Sequence, residues 1–161
     1  MAGQFLLNLF IALLWVLLQD EMPPRFTTFL TGFIVGIGIL YVLHRFYGTQ
    51  FYLRRVFAII QLIFIFNWEL LMSSYVVLKQ IMTPKINITP GIFTYKTELE
   101  TDWEVTTLAL LLTLTPGSVV MEVTPKGDMF YIHAMDIESS KDAVLRSIGK
   151  FEQAIMEVTR S

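Results

Sequence analysis

The sequence has 161 residues, 54% of them hydrophobic and only 16% charged, with a mean hydropathy of +0.58. Soluble domains carry about 25% charge, so a soluble globular chain is excluded and an integral membrane protein is indicated. Residues 1–84 hold 3 acidic and 5 basic side chains and residues 85–161 hold 11 and 7; the acidic second part, with no basic patch and interleaved aromatics anywhere, excludes a nucleic-acid binder.

Met1 to Gln19 carries no side-chain charge, and Phe5–Leu18 (FLLNLFIALLWVLL) is apolar except for Asn8. As a helix, 19 residues measure about 28 Å, close to the hydrocarbon thickness. A cleaved signal peptide is the competing reading. No basic segment precedes the apolar run and no A-x-A-like site follows it, so the segment is expected to stay as a spanning helix. Trp15 suits an interfacial position, and Asp20-Glu21-Met22-Pro23-Pro24 is expected to break the helix. Phe26–Leu43 is a second uncharged run, bounded by Arg25 and by His44-Arg45. Gly32 and Gly36 sit four apart in it, with Gly38 close by, which lets backbones approach closely in lipid; the alternative is that glycine is simply common in transmembrane helices. Together with Asn8, Gly32 and Gly36 are the candidate helix-packing residues of a transmembrane hairpin over residues 1–50.

Residues 51–84 form a long membrane-associated or spanning helix. Val56–Trp68 is too short to cross alone, because crossing needs about 20 apolar residues. Extending it to Leu78 takes Glu69 to membrane depth, which costs about 2.5–3.5 kcal/mol unless protein shelters the carboxylate. Gln61, Asn67 and Glu69 are therefore the candidate polar groups at membrane depth. The second connection carries Arg45, Arg54 and Arg55, which places it and the N-terminus in the cytoplasm by the positive-inside bias. A soluble part outside follows if the helix spans, and one inside follows if it lies along the interface. Three spans with an external N-terminus would put those arginines on the wrong face.

After Pro84 the texture is that of a small α+β domain, residues 85–161, in the order β-α-β-β-α. Ile92–Thr97 reads as a strand. Thr101-Asp102-Trp103-Glu104 has the form of a capping box opening a helix over Val105–Thr113, which must stop before Pro116. That helix is apolar nearly all round, more than one small sheet could cover, so it is expected to meet lipid or a partner subunit as well. Thr115, Pro116 and Gly117 are the candidate structural turn into a strand at Val119–Thr124. Pro125-Lys126-Gly127-Asp128 turns back into Met129–Met135. Ser139 is expected to cap a last helix that packs Val144, Ile148, Phe151, Ile155 and Val158 on the sheet. A domain of about 75 residues is near the lower limit for a self-sufficient core, so docking to something larger would help it.

No phosphate loop, nucleophile elbow, zinc-binding H-E-x-x-H or dinucleotide loop occurs in the sequence. No cofactor is expected. The absence of cysteine removes disulfides and thiolate metal sites, and fits a reducing compartment for the polar part. Ser118, His133 and Asp136 could be written as a triad, but any domain of this size supplies those letters, and structural roles are the better reading. Glu69 could relay protons; no carboxylate or lysine stands at i±3 or i±4 to continue such a path, so a side chain facing water or headgroups is the preferred reading.

The apolar hairpin, the segment WELL (Trp68–Leu71), the turn TLTPGS (Thr113–Ser118) and the strand YIHAMD (Tyr131–Asp136), in that order, resemble the E subunit of the bacterial multi-subunit cation/proton antiporter of the multiple-resistance-and-pH type. The match runs nearly end to end. Ser118 stands where that family's turn usually has threonine, which leaves the Pro-Gly geometry intact. The resemblance implies an accessory subunit, not an enzyme, of a cell-membrane complex that exchanges cytoplasmic Na⁺ for external H⁺. The ion paths would belong to large subunits similar to the proton-pumping subunits of respiratory complex I. It also implies a cytoplasmic soluble part, other subunits and the lipid bilayer as partners, and no catalytic residue. A free-standing membrane-anchored sensor or small-ligand-binding module is the alternative.

Overall fold

The computed structural model describes residues 2–19, 23–47, 51–84 and 88–160. The Asp20-Glu21-Met22 part of the expected helix break lies outside them. Two compact units divide the chain, Met1–Val56 and Phe57–Ser161.

The first unit is built on α1 (Ala2–Leu18) and α2 (Phe26–Tyr47), which pack on each other. α2 continues past the expected Leu43 by about a turn. His44 and Arg45 occupy its last turn, where cations are favoured by the helix dipole, and a His44 ring nitrogen meets the Tyr41 carbonyl. α3 (Tyr52–Ile81) starts in this unit and runs on into the second. The segment Phe26–Phe46 and α3 are each long and apolar enough to cross a membrane, whereas Gly3–Leu18 is a shorter apolar helix.

The second unit contains the rest of α3 and the elements β1 (Gly91–Lys96), α4 (Asp102–Leu114), β2 (Ser118–Val123), β3 (Met129–Ala134) and α5 (Ile137–Arg160). The sheet has the order β1-β3-β2 with both pairings antiparallel. Ile132 stands opposite Phe93 on one side and Val120 on the other, and a bulge falls between Val120 and Glu122. The alternation of β3 sends Phe130, Ile132 and Ala134 inward, all fully buried. They join Phe93, Leu99, Leu108, Leu112, Ile148, Phe151 and Ile155 in one core. Leu62, Ile65 and Phe66 of α3 pack against that core. Part of what the small domain needs for burial is thus supplied by its own chain.

The capping box forms as written in the sequence: Thr101 accepts from the Glu104 N–H and the Glu104 carboxylate accepts from the Thr101 N–H. α4 ends where Thr115 turns extended (φ −85°, ψ 127°) ahead of Pro116. Gly117 follows at φ +98° and Gly127 in the next turn at +73°, conformations that favour glycine. The cap of α5 differs from expectation. Asp136, not Ser139, precedes the first helical residue: its carbonyl takes the Ser140 N–H at 3.0 Å, and its carboxylate accepts from the Ser139 hydroxyl. A carboxylate at this position meets more unsatisfied N–H groups than a hydroxyl three residues on.

Candidate functional site

Two groups of side chains gather the residues that sequence reasoning singles out. The first lies in the hairpin. Asn8 is fully buried, and its amide nitrogen donates to the Tyr52 hydroxyl at 2.7 Å. The Tyr52 N–H donates to Gln4 Oε1 at 3.0 Å, so two side chains of α1 hold the first residue of α3. Rings of Phe5 and Phe51 flank Tyr52 edge-on at 6.3 and 5.3 Å. Gly36 faces Asn8 and Ile11, and a Cβ there would overlap Asn8 Oδ1; at Gly32 a Cβ would come within 2.5 Å of Trp15 Cβ. Gly38, by contrast, has open space around it. Asn8, Gly32 and Gly36 therefore share one close helix contact. The amide of Asn8 can be buried there because only glycine leaves room for it.

The second group lies in the unit Phe57–Ser161, where α3, the α4–β2 turn and α5 border a half-open cleft of about 140 Å³. Its α3 wall includes Glu69, Ser73, Val77 and Gln80; Thr115, Pro116 and Gly117 form a second wall, and Asp136, Ser140 and Ser147 a third. The predicted structural turn and the predicted membrane-depth carboxylate thus meet across one cleft. Most of the Glu69 side chain is covered by its own chain at the wall of this cleft. Its carboxylate accepts from Lys150 Nζ at 2.7 Å and from the Ser147 hydroxyl at 2.5 Å, and its side chain is 12% exposed. The expectation of a water-facing Glu69 rests on the residues one turn either side; the partner lies 81 residues away on α5. Gln61 and Asn67 are exposed, and Asn67 donates to its own helix at the Ile63 carbonyl; neither joins Glu69.

The Asp136 carboxyl at the cleft's rim is held below the usual carboxylate range, first by the Ser139 hydroxyl and then by N–H groups of Thr89, Ser139 and Glu138, against the opposing effect of burial. Ser118 donates to the Leu112 carbonyl at 3.4 Å and pairs with Ala134, whereas His133 pairs with Val119 and so points to the other face of the sheet; Asp136 serves as a cap. Among the described residues no cluster of three or more histidine, cysteine or acidic side chains could hold a metal ion. Gln80 Oε1 is buried without a donor among the described residues.

Two buried glutamates are missed by sequence reasoning. Glu152 of α5 accepts from the Tyr95 hydroxyl at 2.5 Å, from Thr97, and from the Glu98 N–H at 2.6 Å. Glu104 of α4 accepts from Thr159 and from the N–H groups of Glu100 and Thr101, both at 3.1 Å. Burial opposes ionisation of Glu104, but these bonds outweigh it and bring its pKa down to about 2. Between them the two carboxylates tie the β1–α4 connection to α5. The capping-box spacing marks Glu104 as a cap without marking its burial; nothing local marks Glu152.

The sequence model of the family described as Na⁺/H⁺ ion antiporter subunit matches residues 8–158. The E subunit of the Na⁺/H⁺ antiporter of Bacillus subtilis is 47% identical over 160 residues, covering 99% of this chain and 100% of that protein. Among solved structures, one chain of the membrane-bound sulfane sulfur reductase, an archaeal respiratory membrane complex, is 23% identical. It covers 96% of this chain and 98% of its own length with a TM-score of 0.54, a likeness of fold.

Proposed function

The chain belongs to the E subunit family of the bacterial multi-subunit Na⁺/H⁺ antiporters, and we propose that it is a non-catalytic member that supports assembly and stability of its complex in the cell membrane. The observation that carries this reading is the Glu69–Lys150–Ser147 contact. The one carboxylate of the long apolar helix is spent on fastening α3 to α5. A carboxylate that carries ions in a membrane needs a path and a changing partner; this one has a fixed partner in its own chain.

The same contact supports a topology. From Leu62 to Gln80, about 27 Å of helix at 1.5 Å per residue, one face of α3 meets the core or the cleft. Lipid cannot surround a helix covered in this way by a part of the chain as rich in charge as residues 85–161. The opposite face presents Phe57, Ile60, Phe64, Trp68, Leu71, Tyr75 and Leu78, all exposed, at spacings of three and four. Such a stripe, with Trp and Tyr in it, fits the membrane interface. Residues 1–50 then form the transmembrane hairpin. Residues 51–84 lie along the cytoplasmic surface, and residues 85–161 are a cytoplasmic α+β domain held on them. The partners are the other subunits of the antiporter and the bilayer.

The test is a pull-down through a C-terminal tag from mildly solubilised native membranes, with co-purifying proteins identified by mass. Large multi-pass subunits in constant ratio are the expected result, together with a failure of those subunits to assemble in cells lacking this chain. A second reading, a free-standing membrane-anchored module that holds a small ligand, calls for a larger and more polar cavity than the cleft of about 140 Å³. A tagged chain that comes down alone would sink the first reading and make a ligand screen of residues 85–161 the next measurement.

A further inference from the structure

We propose that the outer face of α4 docks a cationic cytoplasmic segment of another subunit of the complex; this rests on the reading that the chain works within a multi-subunit antiporter. α4 is apolar over Leu108–Leu112, and its neighbours cover one side of it, while Asp102, Thr106 and Thr113 make one exposed flank polar. Glu104, Leu108 and Leu112 are buried, while Trp103, Leu110 and Leu114 are 72%, 58% and 60% exposed. At 100° per residue these three fall within about 40° of one another, on the side away from the buried residues, as a stripe about 16 Å long. Interrupted only by Thr107, whose hydroxyl is tied to the Trp103 carbonyl, this exposed apolar stripe with a tryptophan at its end has the anatomy of an interaction anchor.

The surface is held ready. The capping box fixes the first turn of α4, Glu104 is tied to Thr159, and Glu152 holds Thr97 and Glu98 just ahead of it. A rigid surface loses little freedom on binding.

Charge selects the occupant. Residues 97–125 contain Glu98, Glu100, Asp102, Glu104 and Glu122 and no basic side chain. Glu98, Glu100 and Asp102 are exposed at the Trp103 end. The guanidinium of Arg160 comes within 3.8 Å of Glu100 and of Glu104, which offsets only part of this. An acidic rim repels the anionic cytoplasmic leaflet, so lipid is a poor occupant for this stripe. Apolar side chains flanked by lysine or arginine suit it, with a cation able to sit on the Trp103 ring. The cytoplasmic loops of multi-pass membrane proteins carry an excess of such residues.

The test uses the full chain in native membranes, with the photo-reactive residue benzoylphenylalanine in place of Leu110 and a C-terminal tag. Irradiation is expected to join it to a lysine- or arginine-containing cytoplasmic loop of a multi-pass subunit. Glu100→Lys with Asp102→Lys should cut that adduct about tenfold, because each reversal sets like charges against the cationic segment, and Asp102→Asn should cut it less. Adducts with lipid alone, with a segment lacking basic residues, or no adduct at all, while the multi-pass subunits still co-purify, overturn the docking proposal and leave the subunit reading standing. A tagged chain that brings no multi-pass subunit overturns both.

Discussion

Glu104 and Gly36 each show how one residue fixes a local structure. The Glu104 carboxylate is buried but accepts bonds from Thr159, Glu100 and Thr101, which bring its pKa to about 2 against an ordinary 4.5. A lowered carboxylate stabilises the fold fully above its unfolded pKa, and that contribution is lost as pH falls through the folded value. The window here runs from about pH 4.5 down to about 2. Glu104→Gln should cost about 1.5–3 kcal/mol at neutral pH, the worth of hydrogen bonds to a charged group. The gap from the parent chain should shrink across that window when thermal unfolding of the detergent-purified protein is followed by circular dichroism. A gap constant down to pH 2 would mean the charge contributes nothing. Gly36 makes a steric argument. Alanine there must displace Asn8, whereas alanine at Gly38 meets nothing within 4 Å. Gly36→Ala is expected to lower the melting temperature and the membrane level of the chain, and Gly38→Ala to leave both near the parent values. Equal tolerance at the two sites would show that α1 and α2 do not depend on this approach.

Among the elements, α3 gathers the most roles. One face closes the core through Leu62, Ile65 and Phe66, one acidic residue anchors it to α5, and the remaining face is apolar and exposed. The Glu69–Lys150 pair is half-exposed on the lysine side, so its net contribution is set by hydrogen-bond geometry more than by Coulomb attraction. In a double-mutant cycle, Glu69→Ala and Lys150→Ala should be non-additive, with a coupling of about 1 kcal/mol in unfolding measurements. Additive effects would mean the two side chains do not support one another. Because this carboxylate is assigned to fastening rather than transport, Glu69→Gln should leave Na⁺/H⁺ exchange in everted vesicles near the parent rate wherever the complex assembles. Loss of exchange with normal assembly would give Glu69 a part in ion movement.

For the whole molecule, the question is which side of the membrane the α+β part occupies. The chain has no cysteine, so Ser161→Cys supplies a single reporter. With α3 along the cytoplasmic surface, that thiol should resist an impermeant maleimide in intact cells and react once the membrane is permeabilised. Ready labelling in intact cells would mean that α3 crosses after all.

Local sequence is enough to specify the apolar hairpin, the long third helix, the strand and helix order of the polar part, the Thr101–Glu104 capping box and the Pro116-Gly117 turn. Each of these rests on a local cause: periodicity, a cap three residues from its partner, or a residue whose backbone is restricted. The Gly32–Gly36 spacing is legible for the same reason, as a face on one helix. Its occupant Asn8 stands out as the one polar residue in an apolar run, but that the two meet, with Tyr52 taking the amide, depends on helix pairing. Where Glu69 points is a matter of tertiary packing alone, because Lys150 and Ser147 are about eighty residues away and no local spacing joins them. The same holds for Glu152, whose burial is made tolerable by Tyr95, Thr97 and Glu98 of a distant strand end, and for α3, whose hydropathy suits a spanning helix while its packing makes it part of a domain. Hydropathy measures how a segment partitions from water; whether lipid or protein receives it is settled by what the rest of the chain places beside it.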